Sequence, residues 1–282
     1  MLQIWRRENW HEKWFDAIKS NKTIGFVPTM GALHEGHLEL IRASKLSCDI
    51  TVVSIFVNPT QFNNSEDFTN YPKTINEDLE KLRQEKVDYV YTPSNDEIYT
   101  EEPVLSFSFG RLESTLEGAF RPGHFNGVGI VVSKLFNIIK PNRSYFGQKD
   151  LQQVSIIRRL IIDLSFDIEL ILVPTKRDPD GLAMSSRNLR LSPLERKSAP
   201  LLFKSLTKAK NELLKGKSWI QVREEIFRDF KTNSLINPEY FELIHPETFR
   251  TYKEFDPSQK SSICVAAYLG NIRLIDNVPI IS

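Results

Sequence analysis

Cysteine, long apolar runs and net charge are all scarce in this chain of 282 residues. Its two cysteines, Cys48 and Cys264, lie far apart and fit neither a disulfide framework nor a cysteine metal site, so a reducing cytoplasm is the expected setting. No segment approaches the ~20 apolar residues of a membrane span, and the N-terminal MLQIWRRENWHEKW lacks the apolar core of a signal peptide. A formal net charge of +1 provides no overall field toward nucleic acid or an anionic membrane, and we predict neither as a partner.

The chain has the apolar and charged content of a globular protein. Hydrophobic residues make up 40% and charged residues 26%, which is enough apolar material for a sizeable core. Strand-like and helix-like segments alternate from residue 23, which favours an α/β fold with a parallel sheet and crossover helices. The predicted strands are 23–29, 49–58, 87–93, 143–147 and 167–175, and the predicted helices are 37–47, 74–87, 125–141 and 151–165.

The pattern changes after Ser186, and a smaller α+β domain is predicted, with the boundary in the loop 176–191. Ser192, Pro193 and Glu195 form a capping-box signature that begins one helix, and Gly216 is a suitable end for it. A second helix is predicted over 219–230. Strands follow at 240–244 and on either side of a Gly270–Asn271 turn within 261–276.

Four polar segments follow predicted strands, and ligands of parallel sheets bind at the carboxyl ends of strands. They are PTMGALHEGH (28–37), NPTQF (58–62), GQKD (147–150) and PTKRDPDGLAMSSRN (174–188). A further segment, LEGAFRPGHFNGVG (116–129), has too many glycines for a regular element and is interpreted as a mobile active-site loop or a surface connection.

The first segment carries a histidine pair, His34 and His37, with His37 near the start of the following helix. Gly36 allows close backbone approach, and the N–H groups of a helix N-terminus attract an anion. Two imidazoles there can stabilise charge on a phosphate and donate a proton. Local hydrogen bonding is an alternative interpretation of the pair, and zinc is a weaker one because no third ligand stands nearby.

The other segments carry further phosphate-binding and hydrogen-bonding groups. Lys149 is a compact cation suited to phosphate, although beside Asp150 it also fits a surface ion pair. The sequence MSSRN (184–188) supplies hydroxyl groups, amides and a guanidinium group, or forms a polar interdomain loop. Gln61 and Gln153 could recognise hydroxyl or carboxylate groups, or be solvated.

Taken together, these segments resemble the signature blocks of the pantothenate synthetase (pantoate–β-alanine ligase) family. The matching blocks are FVPTMGALHEGH, SIFVNPTQF, YPKT, RPGHFNGV, YFGQKDLQQ, GLAMSSRN and RLIDN, in order from about residue 22 to residue 277. The H-x-G-H element alone also occurs across a wider nucleotidyltransferase superfamily, whereas the later blocks are much more specific.

The resemblance implies ATP-dependent condensation of (R)-pantoate with β-alanine to pantothenate, through a pantoyl adenylate and with release of AMP and pyrophosphate. It implies a Rossmann-like ATP- and pantoate-binding domain over 1–186 and a smaller α+β lid domain over 187–282. Mg²⁺ is expected to accompany ATP, with protein ligands that the sequence leaves unknown. A homodimer is expected.

Family roles are carried over by matching positions. Catalytic roles are implied for His34, His37 and Lys149, with His37 as the proton donor. Gln61 is expected to contact pantoate and then β-alanine, and Gln153 to contact pantoate. ATP binding is implied for Met30, Gly31, Ala32, Leu33, His34, Glu35, Gly36, His37, Gly147, Gln148, Lys149, Asp150, Lys176, Met184, Ser185, Ser186 and Arg187. Lys176 departs from the small apolar residue that is common at that position.

Two other functions compete with this hypothesis. A nucleotidyltransferase acting on a phosphorylated acceptor would retain the H-x-G-H loop but would need neither Gln61 nor Gln153. A degenerate, non-enzymatic nucleotide-binding module would not need to keep His34, His37 and Lys149 together with the Ser-Ser-Arg group at 185–187.

Overall fold

A computed structural model describes residues 1–63 and 65–281 of the chain. Contacts divide the protein into two compact units. The first comprises Met1–Gly147 and Ile156–Pro174, and the second comprises Gln148–Ser155 together with the chain from Thr175 onward. The functional division into a nucleotide-binding domain over 1–186 and a lid over 187–282 stays a prediction, and residue 282 lies outside the described residues.

The described part of the first unit contains a parallel sheet of six strands, which confirms the predicted α/β fold. Its strands are β1 (Leu2–Ile4), β2 (Ile24–Thr29), β3 (Ile50–Ile55), β4 (Tyr89–Tyr91), β5 (Arg143–Gly147) and β6 (Glu169–Val173). The strand order is β1-β4-β3-β2-β5-β6, and every pairing is parallel. Phe26 and Val52 on the central strands are fully buried, as expected of a sheet covered on both faces.

The helices of this α/β unit are α1 (Arg7–Lys19), α2 (Glu35–Ser47), α3 (Ser65–Thr69), α4 (Ile75–Gln84), α5 (Asn95–Ile98), α6 (Glu117–Phe120), α7 (His124–Ile139) and α8 (Leu151–Asp163). The four helices predicted for this unit are confirmed as α2, α4, α7 and α8, whereas α1, α3, α5 and α6 were not predicted. By contacts, the first turn of α8 belongs to the second unit. None of the helices in the described ranges has both the length and the apolar composition required to cross a membrane.

The order of strands reverses at β2. From β2 the chain moves outward through β3 to β4, and it later returns to the other side of β2 with β5 and then β6. Such a reversal leaves a crevice at the carboxyl ends of the two strands where the chain changes direction, and ligands of open α/β sheets bind there. The loop between β2 and α2, which holds the H-x-G-H sequence, therefore begins at the switch point of the sheet.

The expectation that the glycine-rich segment 116–129 forms no regular element is wrong at α6 and again from His124 onward, where α7 begins and the helix predicted over 125–141 is confirmed. Position 127 within α7 requires glycine because a Cβ atom there would approach the Thr60 carbonyl oxygen to 2.3 Å. Gly129 faces the Phe107 ring, which a Cβ atom would approach to 2.9 Å. Here glycine permits close packing of a helix and does not signal a loop.

The second unit pairs an antiparallel sheet with three helices over its described residues. The elements are β7 (Ile236–Ile244), β8 (Ser261–Leu269), β9 (Ile272–Ile281), α9 (Pro193–Ser198), α10 (Leu201–Leu214) and α11 (Trp219–Lys231). The capping box is confirmed, since Ser192 N–H donates to Glu195 Oε2 at 2.8 Å. The single helix predicted up to Gly216 is wrong, because Pro200 separates α9 from α10.

Candidate active site

The loop after β2 is held in a conformation that suits small residues. Gly31 and Ala32 both have positive φ, 84° and 50°, and glycine is the residue that adopts such values at least cost. Thr29, the last residue of β2, donates its hydroxyl hydrogen to the Ser54 carbonyl oxygen at 2.7 Å and accepts from Gly31 N–H at 3.2 Å. The turn is thus tied to the neighbouring strand immediately before α2 begins at Glu35.

Both histidines use Nδ1 as a hydrogen-bond acceptor at the start of α2. His34 Nδ1 accepts from Gly36 N–H at 3.1 Å, and His37 Nδ1 accepts from His34 N–H at 3.3 Å. The ring centroids are 4.0 Å apart. A ring nitrogen that accepts from a backbone N–H carries no proton, so each neutral imidazole has its proton on Nε2. The local hydrogen bonding considered from sequence is therefore present, and it makes Nε2–H the donor of each ring.

A buried carboxylate on α4 holds the main chain of this loop. Asp78 is fully buried and accepts from Ala32 N–H at 2.9 Å, from Leu33 N–H at 2.7 Å and from Thr74 Oγ1 at 3.2 Å. No role was predicted for Asp78 from the sequence. A signal was available, because Asp78 lies on the same helical stripe as the apolar Leu79 and Leu82, where a solvated carboxylate is not expected.

Glu35 is a predicted ATP-binding residue whose carboxylate is engaged elsewhere. It forms an ion pair with Arg42, an α2 residue that also pairs with Glu85. These bonds turn the Glu35 carboxylate to a partner on its own helix. Any contact of Glu35 with a phosphate would therefore come from its backbone N–H in the first turn of α2.

Gln61 lies against the histidine loop. It ends a short 3₁₀ helix, Pro59–Gln61, and its side chain is buried at 9% exposure. Its Nε2 donates to the Met30 sulfur atom at 3.1 Å, and its Oε1 accepts from Asn58 Nδ2 at 3.2 Å. The structure therefore brings together two of the predicted site segments. A thioether is a weak acceptor, so the Gln61 Nε2–H group can exchange this hydrogen bond for one to a stronger acceptor at little cost in free energy.

The Gln148–Asp150 part of GQKD belongs to the second unit and is held by β9, the last strand. Gln148–Asp150 form a 3₁₀ helix that follows β5, and Asn277 Nδ2 donates to the carbonyl oxygens of both Gln148 and Lys149 at 2.9 Å. Lys149 and Ser185 line one cavity of this unit, with Asn188, Asp276 and the apolar Leu182, Leu202 and Leu274 among the other lining residues. Two of the predicted phosphate-binding segments thus meet.

Backbone hydrogen bonds close the loop of residues 176–184 on itself and continue into the Ser-Ser-Arg group. Met184 N–H donates to the Lys176 carbonyl oxygen at 3.0 Å, and Ser185 Oγ accepts from Arg187 N–H at 3.3 Å. Ser186 is buried at the start of a 3₁₀ helix that ends at Arg190. Gln153 is partly buried on α8, and Lys176 is exposed. The individual ligand contacts expected of these residues stay predictions.

Arg177 and Asp276 form a buried ion pair beside the same cavity. Arg177 donates to both carboxylate oxygens of Asp276 at 2.6 and 2.9 Å, and its guanidinium group lies 3.8 Å from the centre of the Phe203 ring. Burial raises the pKa of Asp276, while Arg177 acts in the opposite direction. Asp276 lies in the RLIDN block that carries the family resemblance, but no role was predicted for its carboxylate.

Comparison with known proteins decides the family. The family model described as pantoate-beta-alanine ligase matches residues 3–279. The chain belongs to the pantoate-beta-alanine ligase family. The pantothenate synthetase of Thermosipho africanus (strain TCF52B) is 47% identical over 263 residues, which cover 93% of this chain and 94% of that protein. The sequence-based family assignment is therefore confirmed, and the chain is a member of an enzyme family.

Solved structures of the pantoate-beta-alanine ligase family have the same fold. The pantothenate synthetase of Thermus thermophilus matches with a TM-score of 0.93 and 35% identity, over 100% of both chains. The pantoate-beta-alanine ligase of Francisella tularensis, solved as a complex with beta-gamma ATP and beta-alanine, matches with a TM-score of 0.83 and 34% identity. It covers 99% of this chain and 98% of that one. The Rossmann-like α/β unit with an additional small α+β unit is thus a property of the family.

Proposed function

We propose that this chain catalyses the ATP-dependent condensation of (R)-pantoate with β-alanine to pantothenate. The observation that carries the proposal is the H-x-G-H loop at the switch point of the sheet, with Gln61 packed against it, in a chain matched by the pantoate-beta-alanine ligase model over 3–279. The Francisella tularensis relative was solved with beta-gamma ATP and beta-alanine, two of the compounds that this reaction requires.

The first step would form pantoyl adenylate. A pantoate carboxylate oxygen attacks the α-phosphorus of ATP, the bond to the bridging oxygen breaks, and pyrophosphate leaves. The transition state needs an aligned nucleophile and donors around a phosphate whose charge moves toward the leaving group. The amine of β-alanine then attacks the acyl carbon and expels AMP.

His34 and His37 would serve this step as hydrogen-bond donors to phosphate oxygens. Their Nε2–H groups are the donors because backbone N–H groups occupy both Nδ1 atoms. The N-terminus of the 13-residue helix α2 adds partial positive charge to the same place. Proton donation by His37, which the family resemblance implies, would require a second ring proton and the loss of the Nδ1 hydrogen bond. Donation of a hydrogen bond from neutral imidazole is the simpler role.

Gln61 would recognise substrate oxygen atoms. Its Oε1 is held by Asn58, so Nε2 is the atom directed toward Met30 and the histidine loop. A carboxylate, hydroxyl or carbonyl oxygen is a stronger acceptor than the Met30 thioether, and the exchange favours substrate binding. This property fits a residue that contacts pantoate first and the second substrate later.

The second unit would contribute further ATP-binding groups. Lys149 and Ser185 line the same cavity, and the adjoining Arg187 follows on a 3₁₀ helix. An ammonium group, a hydroxyl group and a guanidinium group together match the oxygen atoms of a polyphosphate. We assign ATP binding to these residues and pantoate binding to Gln153, in line with the family blocks that they match.

Mg²⁺ would accompany ATP. Within 1–63 and 65–281, no cluster of three His, Cys, Asp or Glu side chains could hold a metal ion. Mg²⁺ commonly binds through substrate phosphates and water with only one or two carboxylates, and this chemistry suits the residues present. Mg²⁺ would neutralise phosphate charge.

We further propose a cytoplasmic homodimer, which the exposed apolar Val104 and Leu105, at 96% and 82% exposure, would help to form.

The activity is tested by incubating the protein with Mg-ATP, (R)-pantoate and β-alanine and measuring AMP, pyrophosphate and pantothenate. We expect the three products in equal amounts. Formation of ADP, or turnover that is indifferent to pantoate, would refute the ligase. Transfer of AMP to a phosphorylated acceptor would instead support the nucleotidyltransferase alternative.

A variant pair tests the histidine loop. His37→Ala should strongly slow pantoate-dependent pyrophosphate release in a protein that still folds. His11→Ala, at an exposed position on α1, is the matched control and should retain the activity. Equal rates for His37→Ala and the unmodified protein would show that His37 takes no part.

A further inference from the structure

The RPGHFNGV block contains a buried histidine for which the proposed reaction supplies no role. His124 is 5% exposed and is the first residue of α7. Its Nδ1 lies 2.8 Å from the carbonyl oxygen of Gln61, and its Nε2 lies 3.0 Å from Arg121 Nη1. Glu117 also pairs with Arg121, with a carboxylate oxygen 3.8 Å from Nη1.

The two contacts settle which nitrogen of His124 carries the proton. A guanidinium group can only donate hydrogen bonds, so Nε2 must be the acceptor from Arg121. Nδ1 therefore carries the proton and donates it to the Gln61 carbonyl oxygen. This is the opposite tautomer to that of His34 and His37, whose Nδ1 atoms both accept.

The Gln61 carbonyl needs this donor. Gln61 is the last residue of a three-residue 3₁₀ helix, and carbonyl groups at a helix end have no partner within the helix. Burial without a partner would be unfavourable for such a group, because its hydrogen bond to water would be lost and not replaced. His124 thus stabilises the main chain of Gln61, and the position of that main chain sets where the Gln61 side chain can reach.

The first turn of α7 also orients the Gln61 side chain. Asn58 Nδ2 donates to both Gln61 Oε1 and the Gly127 carbonyl oxygen, each at 3.2 Å. The α7 backbone packs so closely here that a Cβ atom on Gly127 would lie 2.3 Å from the Thr60 carbonyl oxygen. The main-chain carbonyl of Gln61 is held by His124 of α7, and its side-chain Oε1 is held by Asn58, which also bonds to α7. The Nε2 atom of Gln61 points to Met30.

We propose that Arg121 and His124 are positioning residues for pantoate, acting through the main chain of Gln61. Arg121 fixes the tautomer of His124, and His124 fixes the place of Gln61. The inference rests on the proposed function, because Gln61 is taken to contact pantoate. A misplacement of about 1 Å in such a group can cost about 100-fold in rate.

The kinetic test compares variants with the two substrates of the first step. His124→Ala should lower kcat/KM for pantoate by about 10- to 100-fold, while KM for ATP changes by less than about twofold. His124→Asn should recover much of the loss, because the Asn amide can donate to the Gln61 carbonyl from near the position of Nδ1. Arg121→Gln should have an intermediate effect.

Controls separate positioning from a general loss of structure. Arg111→Gln, at an exposed position in the same unit, should match the unmodified protein. Circular dichroism and melting temperature show whether each variant folds. If His124→Ala does not fold, the comparison is made with His124→Asn and Arg121→Gln. An unchanged kcat/KM for pantoate in folded His124→Ala, an equal rise in KM for ATP, or no recovery with His124→Asn would overturn the inference.

A spectroscopic readout is independent of turnover. Two-bond ¹H–¹⁵N correlations of the histidine rings should show the Nδ1–H tautomer for His124 in the unmodified protein. They should show Nε2–H for His34 and His37. An Nε2–H tautomer at His124 would overturn the positioning role even if the ligase activity is confirmed. A chain without pantoate-dependent turnover but with Nδ1–H at His124 would overturn the proposed function and remove pantoate as the substrate being positioned.

Discussion

Removal of the Asp78 carboxylate should release the loop that carries His34 and His37. Asp78 accepts from the N–H groups of Ala32 and Leu33 at 2.9 and 2.7 Å, and both bonds are buried. Asp78→Ala leaves these two donors without their acceptor at the point where the chain turns from β2 into α2. The histidines would then lose the rigid loop that presents them.

The size of the effect follows from the groups left unpaired. A buried donor that loses its partner costs about 1–3 kcal/mol, so two of them near the lower end of that range give about 3 kcal/mol. This is a large part of a typical unfolding free energy of about 5–15 kcal/mol. For a folding unit of this size, each 1 kcal/mol lowers the melting temperature by about 2–4 °C, which predicts a fall of about 6–12 °C.

The assay combines stability, local protection and activity. Thermal unfolding followed by circular dichroism gives the change in melting temperature, and hydrogen exchange reports protection at the Ala32 and Leu33 amides. Asp78→Asn keeps the shape but retains one carbonyl acceptor, and we expect roughly half the loss. Glu77→Gln, one residue away and exposed, is the matched control and should change neither quantity.

Two results would contradict this role of Asp78. One is a folded Asp78→Ala protein that melts within about 2 °C of the unmodified chain, which corresponds to less than about 1 kcal/mol. The other is unchanged exchange protection of the Ala32 and Leu33 amides. Either would mean that the loop holds its conformation without the carboxylate.

Three further changes test other parts of the structure. Gly127→Ala should destabilise the protein by about 1–3 kcal/mol in urea unfolding, because the added methyl group meets the Thr60 backbone; tolerance of alanine would contradict the packing. Asn277→Asp should weaken ATP binding in calorimetry, since a carboxylate cannot donate to the two carbonyl groups that Asn277 now holds; unchanged affinity would exclude this role. Arg196 lowers the pKa of Asp180 below its ordinary 3.8, so this carboxylate stabilises the fold above that value and loses its effect as the pH falls through the lowered pKa. Asp180→Asn should therefore have a lower free energy of unfolding than the unmodified protein at about pH 7, and the difference measured by urea titration should shrink toward about pH 3. A difference that stays constant with pH would contradict this prediction.

Local patterns in the sequence carry much of the fold. The apolar runs of β2 and β3, the Ser192–Glu195 capping box and the Gly270 turn each involve neighbours within a few residues, so their chemistry is visible in the printed order. The glycines in 116–129 were interpreted as a sign of irregular chain, and that expectation was wrong because two of them serve distant contacts. Gly127 and Gly129 are tolerated within α7, where their small size lets the helix pack on residues 60 and 107.

The family, the α/β class and the segments that carry phosphate chemistry can be recognised from the printed sequence, because each is encoded in short ordered blocks. The groups that hold those segments in place become visible only in the folded chain. Asp78 meets Ala32 across 46 positions, His124 meets Gln61 across 63, and Asn277 meets Gln148 across 129. A carboxylate, an imidazole and an amide become supports only where folding buries them against unpaired backbone groups, and no spacing in the sequence specifies that burial.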